Sequence, residues 1–193
     1  MKRTGILIGA LWLGLCANAR SQSLSLGLAA GGFFPREQTY RDVYGSSFPL
    51  EFEVRFGLIK NLGLAAGVSY INDSGQALNI GQGQDSYAVR FKMVSIPLSA
   101  YLLFPLNGLS LFGGAGASVH SYEETWQTVS ISNTGNTTKP FIYAGVEFRV
   151  LSRVSARLTL RYENIDAGEN PALAREINLG GLTLLAGVSV RIF

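Results

Sequence analysis

The chain has 193 residues, of which 47% are hydrophobic and only 15% charged, a length that suits one domain. It nowhere contains eighteen consecutive apolar residues, which excludes a helical membrane protein. The net charge of +3 is small and unclustered, so no face is built for nucleic acid.

At the N-terminus, Lys2 and Arg3 precede an uncharged apolar stretch over 5–16, and Ala17-Asn18-Ala19 has the small-x-small form of a cleavage site. A secretory signal is predicted over 1–19, with one domain over 20–193. The apolar stretch is too short to cross a bilayer as a helix. A lipoprotein would need a small residue before Cys16, where Leu15 stands. Cleavage would remove the only cysteine, and with it disulfide or thiol chemistry.

The remaining apolar residues alternate with polar ones. After a first strand over 23–34, the segment 48–59 places Phe48, Leu50, Phe52, Val54, Phe56 and Leu58 opposite Glu51, Glu53, Arg55 and Gly57. Successive side chains of a strand point to opposite faces, so one face is apolar and the other charged. Further strands follow at 62–72, 86–104, 109–122 and 140–151. The last sets Ile142, Ala144, Val146, Phe148 and Val150 against Tyr143, Gly145, Glu147 and Arg149. The pattern continues at 154–165, with Val154, Ala156, Leu158, Leu160 and Tyr162 against Ser155, Arg157, Thr159, Arg161 and Glu163, and ends at 177–193. In the fourth strand the phase slips between Phe91 and Ile96, and a bulge or an early break of the strand is predicted near Pro97.

Eight strands with this pattern predict an all-β, antiparallel up-and-down barrel. Three connections are tight (60–61, 105–108, 152–153) and four are long and polar (35–47, 73–85, 123–139, 166–176). Their strict alternation is that of a bacterial transmembrane barrel, with short periplasmic turns and long outer loops. Phe33, Phe34, Phe48, Tyr70, Tyr87, Tyr122, Phe141 and Tyr162 fall at the long-loop ends. Phe56, Phe104, Phe112, Phe148 and Phe193 fall nearer the short turns, so two interfacial belts are expected.

Alternation alone also allows a soluble, lipocalin-like barrel with its apolar face inward. The glycines favour the opposite orientation. Gly27, Gly57, Gly63, Gly67, Gly145 and Gly187 share the charged face, and small residues mixed with charges suit a tight interior rather than a solvated surface. That interior is expected to hold Glu51, Glu53, Glu147 and Glu163 with Arg55, Arg149, Arg157, Arg161 and Arg191. Charges taken from water must be paired. A salt-bridged plug is expected, with a charged pathway for ions as the alternative.

Three segments carry a family likeness. Met93 to Tyr101, with its Ile-Pro-Leu core followed by an aromatic, is similar to a central strand of the outer-membrane protein β-barrel domain family, the small porin-like barrels of Bacteroidetes-type bacteria. Leu160-Arg161-Tyr162 is similar to its penultimate strand, and Leu184 to Phe193 to its terminal one. The resemblance implies a Gram-negative outer membrane, loops outward and both termini periplasmic. It implies contact with outer-membrane lipids and lipopolysaccharide, and insertion by machinery that reads a C-terminal aromatic, here Phe193. Arg191 departs from the pattern, since that position is usually apolar or aromatic.

Little in the sequence points to chemistry. The single histidine, His120, lies near Ser118, Ser121, Glu123 and Glu124, and serine, histidine and acid can form a lipid hydrolase. The small lipid A deacylase barrels place histidine and serine two residues apart, but here the serine precedes the histidine, so a polar residue at the barrel mouth is expected instead. Asp73 and Asp85 match no calcium-loop spacing, and Gly113 to Gly116 lies inside a strand. No metal or cofactor is expected. In the long loops, Tyr40, Arg41, Tyr44 and Trp126 are candidates for binding a surface or envelope protein partner. The function expected is a non-enzymatic outer-membrane barrel with a structural or surface-interaction role. A narrow porin-like channel is the second reading, and a lipid-modifying enzyme the third.

Overall fold

The computed structural model describes residues 23–78, 86–128, 130–164, 166–170, 175–178 and 180–193. The expected signal over 1–19 lies outside them. Among the described residues the elements are β1 (Ser23–Pro35), α1 (Gln38–Tyr44), β2 (Leu50–Ile59), β3 (Leu62–Leu78), β4 (Ser86–Leu106), β5 (Leu109–Trp126), β6 (Ile131–Arg149), β7 (Val154–Glu163), β8 (Asp166–Asn170), β9 (Arg175–Asn178) and β10 (Gly181–Arg191). Eight strands close a barrel in the order β1-β10-β7-β6-β5-β4-β3-β2, each neighbour antiparallel, while β8 and β9 form a separate hairpin. Closure leaves no free sheet edge around the ring where it spans a bilayer, as a strand structure in lipid requires.

The charged face points inward. Glu51, Glu53, Arg55, Arg157, Arg161 and Glu163 are buried, while Leu28, Leu50, Phe52, Leu98, Ile142 and Val188 stand exposed on the outside. The outward phase also marks where hydrocarbon ends. On β4 it is apolar from Phe104 back to Val94 and then changes to Lys92 and Arg90. On β3 it changes from Tyr70 to Asn72, on β5 from Val119 to Ser121, and on β6 from Pro140 to Thr138. Val94 to Phe104 is the length a transmembrane strand needs, about 9–11 residues.

Three expectations from the sequence are corrected here. First, the predicted loop over 123–139 is mostly strand: β5 and β6 continue as a hairpin past the point where the outward face turns polar, pairing as far as Trp126↔Ile131. The predicted 73–85 loop is likewise partly strand, with β3 and β4 paired to Leu78↔Ser86. Second, the strand neither bulges nor ends at Pro97. The β4–β5 register runs unshifted from Val89↔Trp126 to Leu106↔Leu109. On the β3 side the ladder is interrupted opposite Pro97, which lacks an N–H, and resumes in the same register. The slip arose because Phe91 and Met93 are apolar residues of the inward phase. Third, the aromatic belts are thinner than expected. Phe34, Phe48, Tyr70 and Tyr162 face outward at one end and Phe104, Phe148 and Phe193 at the other, but Phe33, Phe112 and Phe141 are buried inside.

Candidate functional site

The interior has two zones. The first is a charged waist. β2 delivers Glu51, Glu53 and Arg55 inward at alternate positions, and β7 delivers Arg157, Arg161 and Glu163 in the same way. Arg161 Nη2 donates to both oxygens of Glu51 at 2.8 and 2.7 Å. Glu53 Oε1 accepts from Arg55 Nε at 2.6 Å and from Arg157 Nη1 at 2.5 Å. Arg55 Nη1 lies 3.4 Å from Glu147 Oε2. These pairs join β2 to β6 and β7 through the lumen, not along the wall.

Aromatic rings pack against the cations. Arg55 lies 4.4 Å from the centre of the Phe112 ring and 5.1 Å from that of Tyr101, and Arg161 lies 5.2 Å from that of Phe141. The planar guanidinium suits both an aromatic face and a carboxylate edge, and lysine would serve less well. The rings find room because glycines face them across the sheet. A Cβ on Gly63 would stand 2.4 Å from the Tyr101 ring, and one on Gly145 would stand 2.4 Å from Phe112. The small residues of the charged face are thus the seats of its large ones.

The second zone is the mouth at the long-loop end. Tyr40 and Tyr44 fall four residues apart, hence on one face of α1. They reach into a cluster with Phe33, Ile71, Phe91, Met93 and Tyr122. The helix stops at Gly45, whose φ of 70° is the left-handed conformation glycine adopts at little steric cost, and its N–H caps the Arg41 carbonyl at 2.9 Å. The Tyr40 hydroxyl donates to Asp73 Oδ2 at 3.0 Å, and Ser47 Oγ donates to the same oxygen. The Tyr44 hydroxyl donates to Glu124 Oε1 at 2.6 Å. Burial pushes both phenols well above their ordinary pKa, and the Asp73 and Glu124 carboxylates add to the effect, so both hydroxyls remain protonated donors.

Of the residues singled out from sequence, the structure brings Glu53, Arg55, Glu147 and Arg157 into one ion-paired group and Glu51 and Arg161 into a second, with Glu163 buried beside Arg161. Arg149 and Arg191 stand apart, exposed at the short-turn end. Phe193 is exposed at the chain's end, where its carbonyl accepts from the Leu24 N–H at 3.2 Å. Tyr40 is buried in the mouth and Tyr44 half-buried, Arg41 is exposed, and Trp126 packs half-buried 6.1 Å from Tyr87. Sequence reasoning missed Ser47, Asp73 and Glu124 as anchors of α1. The four-residue spacing of Tyr40 and Tyr44 was the signal available. Sequence reasoning also expected His120 to be a polar residue at the barrel mouth and did not identify Ser95 as its partner. His120 Nδ1 lies 2.7 Å from Ser95 Oγ on the facing strand, and His120 is fully buried.

The family profile for the outer membrane protein beta-barrel domain matches residues 8–191. Among curated proteins none matches the sequence significantly. Solved structures with the same fold include Neisserial surface protein A, at 18% identity with a TM-score of 0.59, covering 88% of this chain and 96% of that one. The attachment invasion locus protein Ail of Yersinia pestis, in complex with the heparin analogue sucrose octasulfate, is 14% identical with a TM-score of 0.55, covering 89% and 97%. The N-terminal β-barrel domain of Pseudomonas aeruginosa OprF is 13% identical with a TM-score of 0.55, covering 89% and 100%. At these identities the likeness is one of fold.

Proposed function

Because the chain belongs to the outer membrane protein β-barrel domain family, we propose that it is a closed, non-enzymatic scaffold in the Gram-negative outer membrane that presents an interaction surface on its long-loop side. The observation that carries this reading is the ion-paired waist. Residues from β2 meet residues 104 to 110 positions away on β7 through the middle of the lumen. An eight-stranded barrel has only enough interior for its own side chains, and α1 lies in the mouth above. The charge pairs therefore serve as filling, and what varies for function stands outside.

Orientation follows from the same reading. The short turns and both termini face the periplasm, and Phe193 presents its aromatic ring to the insertion machinery. The exposed apolar belt meets lipid, with lipopolysaccharide around the long-loop end. Arg41 and the protruding β3–β6 sheet are the surface offered to a partner. The hydrolase reading is disfavoured because Ser118 and His120 are both 0% exposed and Ser95 is 5% exposed, which leaves a lipid ester no approach. The test is conductance of the purified barrel in planar lipid bilayers. A flat baseline is expected, whereas stable single-channel steps would replace the scaffold with the narrow channel.

A further inference from the structure

The inward phase does not keep its balance along the barrel. Through the waist, buried carboxylates and guanidinium groups meet one another. At the short-turn end the same phase turns basic. Arg149 at the end of β6, Arg153 in the β6–β7 turn and Arg191 at the end of β10 line a single pocket with Ser25, Ser155 and Ser189. Strand register explains their convergence. Arg149 pairs with Ser155, Ser155 with Ser189, and Arg191 with Ser25, so four neighbouring strands deliver these side chains at one level. The pocket is shallow and opens to the outside.

Among the described residues this cluster has more bases than acids on its wall. The one acid on the wall, Glu147, is turned toward Arg55. Among the described residues, none of the three guanidinium groups forms an ion pair with a carboxylate. Arginines serving only to anchor the barrel at the lipid interface would be expected in the outward phase, and Arg149 and Arg191 occupy the inward one. Guanidinium forks bind phosphate oxygens through paired, charge-assisted hydrogen bonds, and serine hydroxyls add further donors.

We propose that Arg149, Arg153 and Arg191, with Ser25, Ser155 and Ser189, form a binding site for a phosphate-bearing anion at the short-turn mouth. The anion is either free phosphate or the headgroup of an anionic phospholipid. The site is independent of whether the waist conducts. It is tested on the full-length folded barrel in a neutral detergent, titrated calorimetrically with inorganic phosphate and with dihexanoylphosphatidylglycerol. Saturable binding that weakens as ionic strength rises is expected. Arg153→Gln, which changes only a turn side chain, weakens it about tenfold. The Arg149→Gln, Arg153→Gln, Arg191→Gln triple variant abolishes it, and Lys92→Gln at the opposite end leaves it unchanged. Tighter binding of the lipid identifies a headgroup, and equal or tighter binding of inorganic phosphate identifies the free anion. Absence of saturable binding by either probe, or equal affinity in wild type and Arg153→Gln, overturns the proposal.

Discussion

Arg161 and Glu51 show what the waist demands of single residues. Both are buried, and the side chain of Glu51 is 1% exposed. Removing one partner strands the other charge. Arg161→Met is therefore expected to destabilise the barrel by about 3–5 kcal/mol, measured as a fall in the urea midpoint of unfolding from lipid vesicles. Glu51→Leu combined with Arg161→Met should recover most of that loss, because a matched apolar pair leaves no orphan. A double variant as unstable as the single one would show that the pair does more than balance charge. The glycine seats give a second comparison. Gly145→Ala drives a Cβ to within 2.4 Å of Phe112 and 2.3 Å of the Leu158 carbonyl, whereas Gly113→Ala meets nothing nearer than 3.5 Å. The first should lower the same midpoint markedly and the second leave it nearly unchanged. The sequence made the inward face of these residues legible, since period-two alternation reports faces directly. It did not reveal that Arg161 chooses Glu51, because that choice is made across a lumen by positions 110 apart in the chain.

At the scale of elements, the residue ranges read from the sequence proved to be those of the membrane more than those of the strands. Strand β6 was expected to begin at 140, and it begins at Ile131. Pro140 is where its outward face stops being apolar. Beyond that point Thr138, Asn136, Thr134 and Ser132 face water instead of lipid. The hairpin persists because backbone pairing needs no apolar face, and alternation cannot report a strand that is polar on both sides. Cysteine labelling tests this division. In intact cells, Thr134→Cys should react with a membrane-impermeant maleimide and Ile142→Cys should not. Equal labelling at both sites would remove the boundary. The helix α1 was illegible for another reason, since seven residues inside a polar loop carry too short a period to stand out. Its hold on the mouth can be measured. Tyr44→Phe deletes the hydrogen bond to Glu124 and should speed amide exchange through 38–44 while leaving the barrel strands protected. Unchanged exchange would mean that ring packing alone holds the helix.

For the whole molecule, stability depends on an outside that matches lipid and an inside that matches itself. Leu98 is 55% exposed near the middle of the apolar belt, so Leu98→Arg should cost about 2–4 kcal/mol, read as a lost shift between heated and unheated mobility on detergent gels or a lower urea midpoint. A change of that kind outside the belt, such as Thr134→Arg, should cost little. The mouth adds a mechanical consequence. An eight-stranded tube resists stretching along its hydrogen bonds, but its cross-section can still flatten into an ellipse without breaking any of them. Helix α1 hangs between β1 and β2, with Tyr40 tied to Asp73 on β3 and Tyr44 tied to Glu124 on β5. It is a strut across the opening, fastened at points around the rim, and it blocks the flattening mode that the wall alone would permit. The protruding sheet above is thereby braced, so that a partner docking on it would meet one shape.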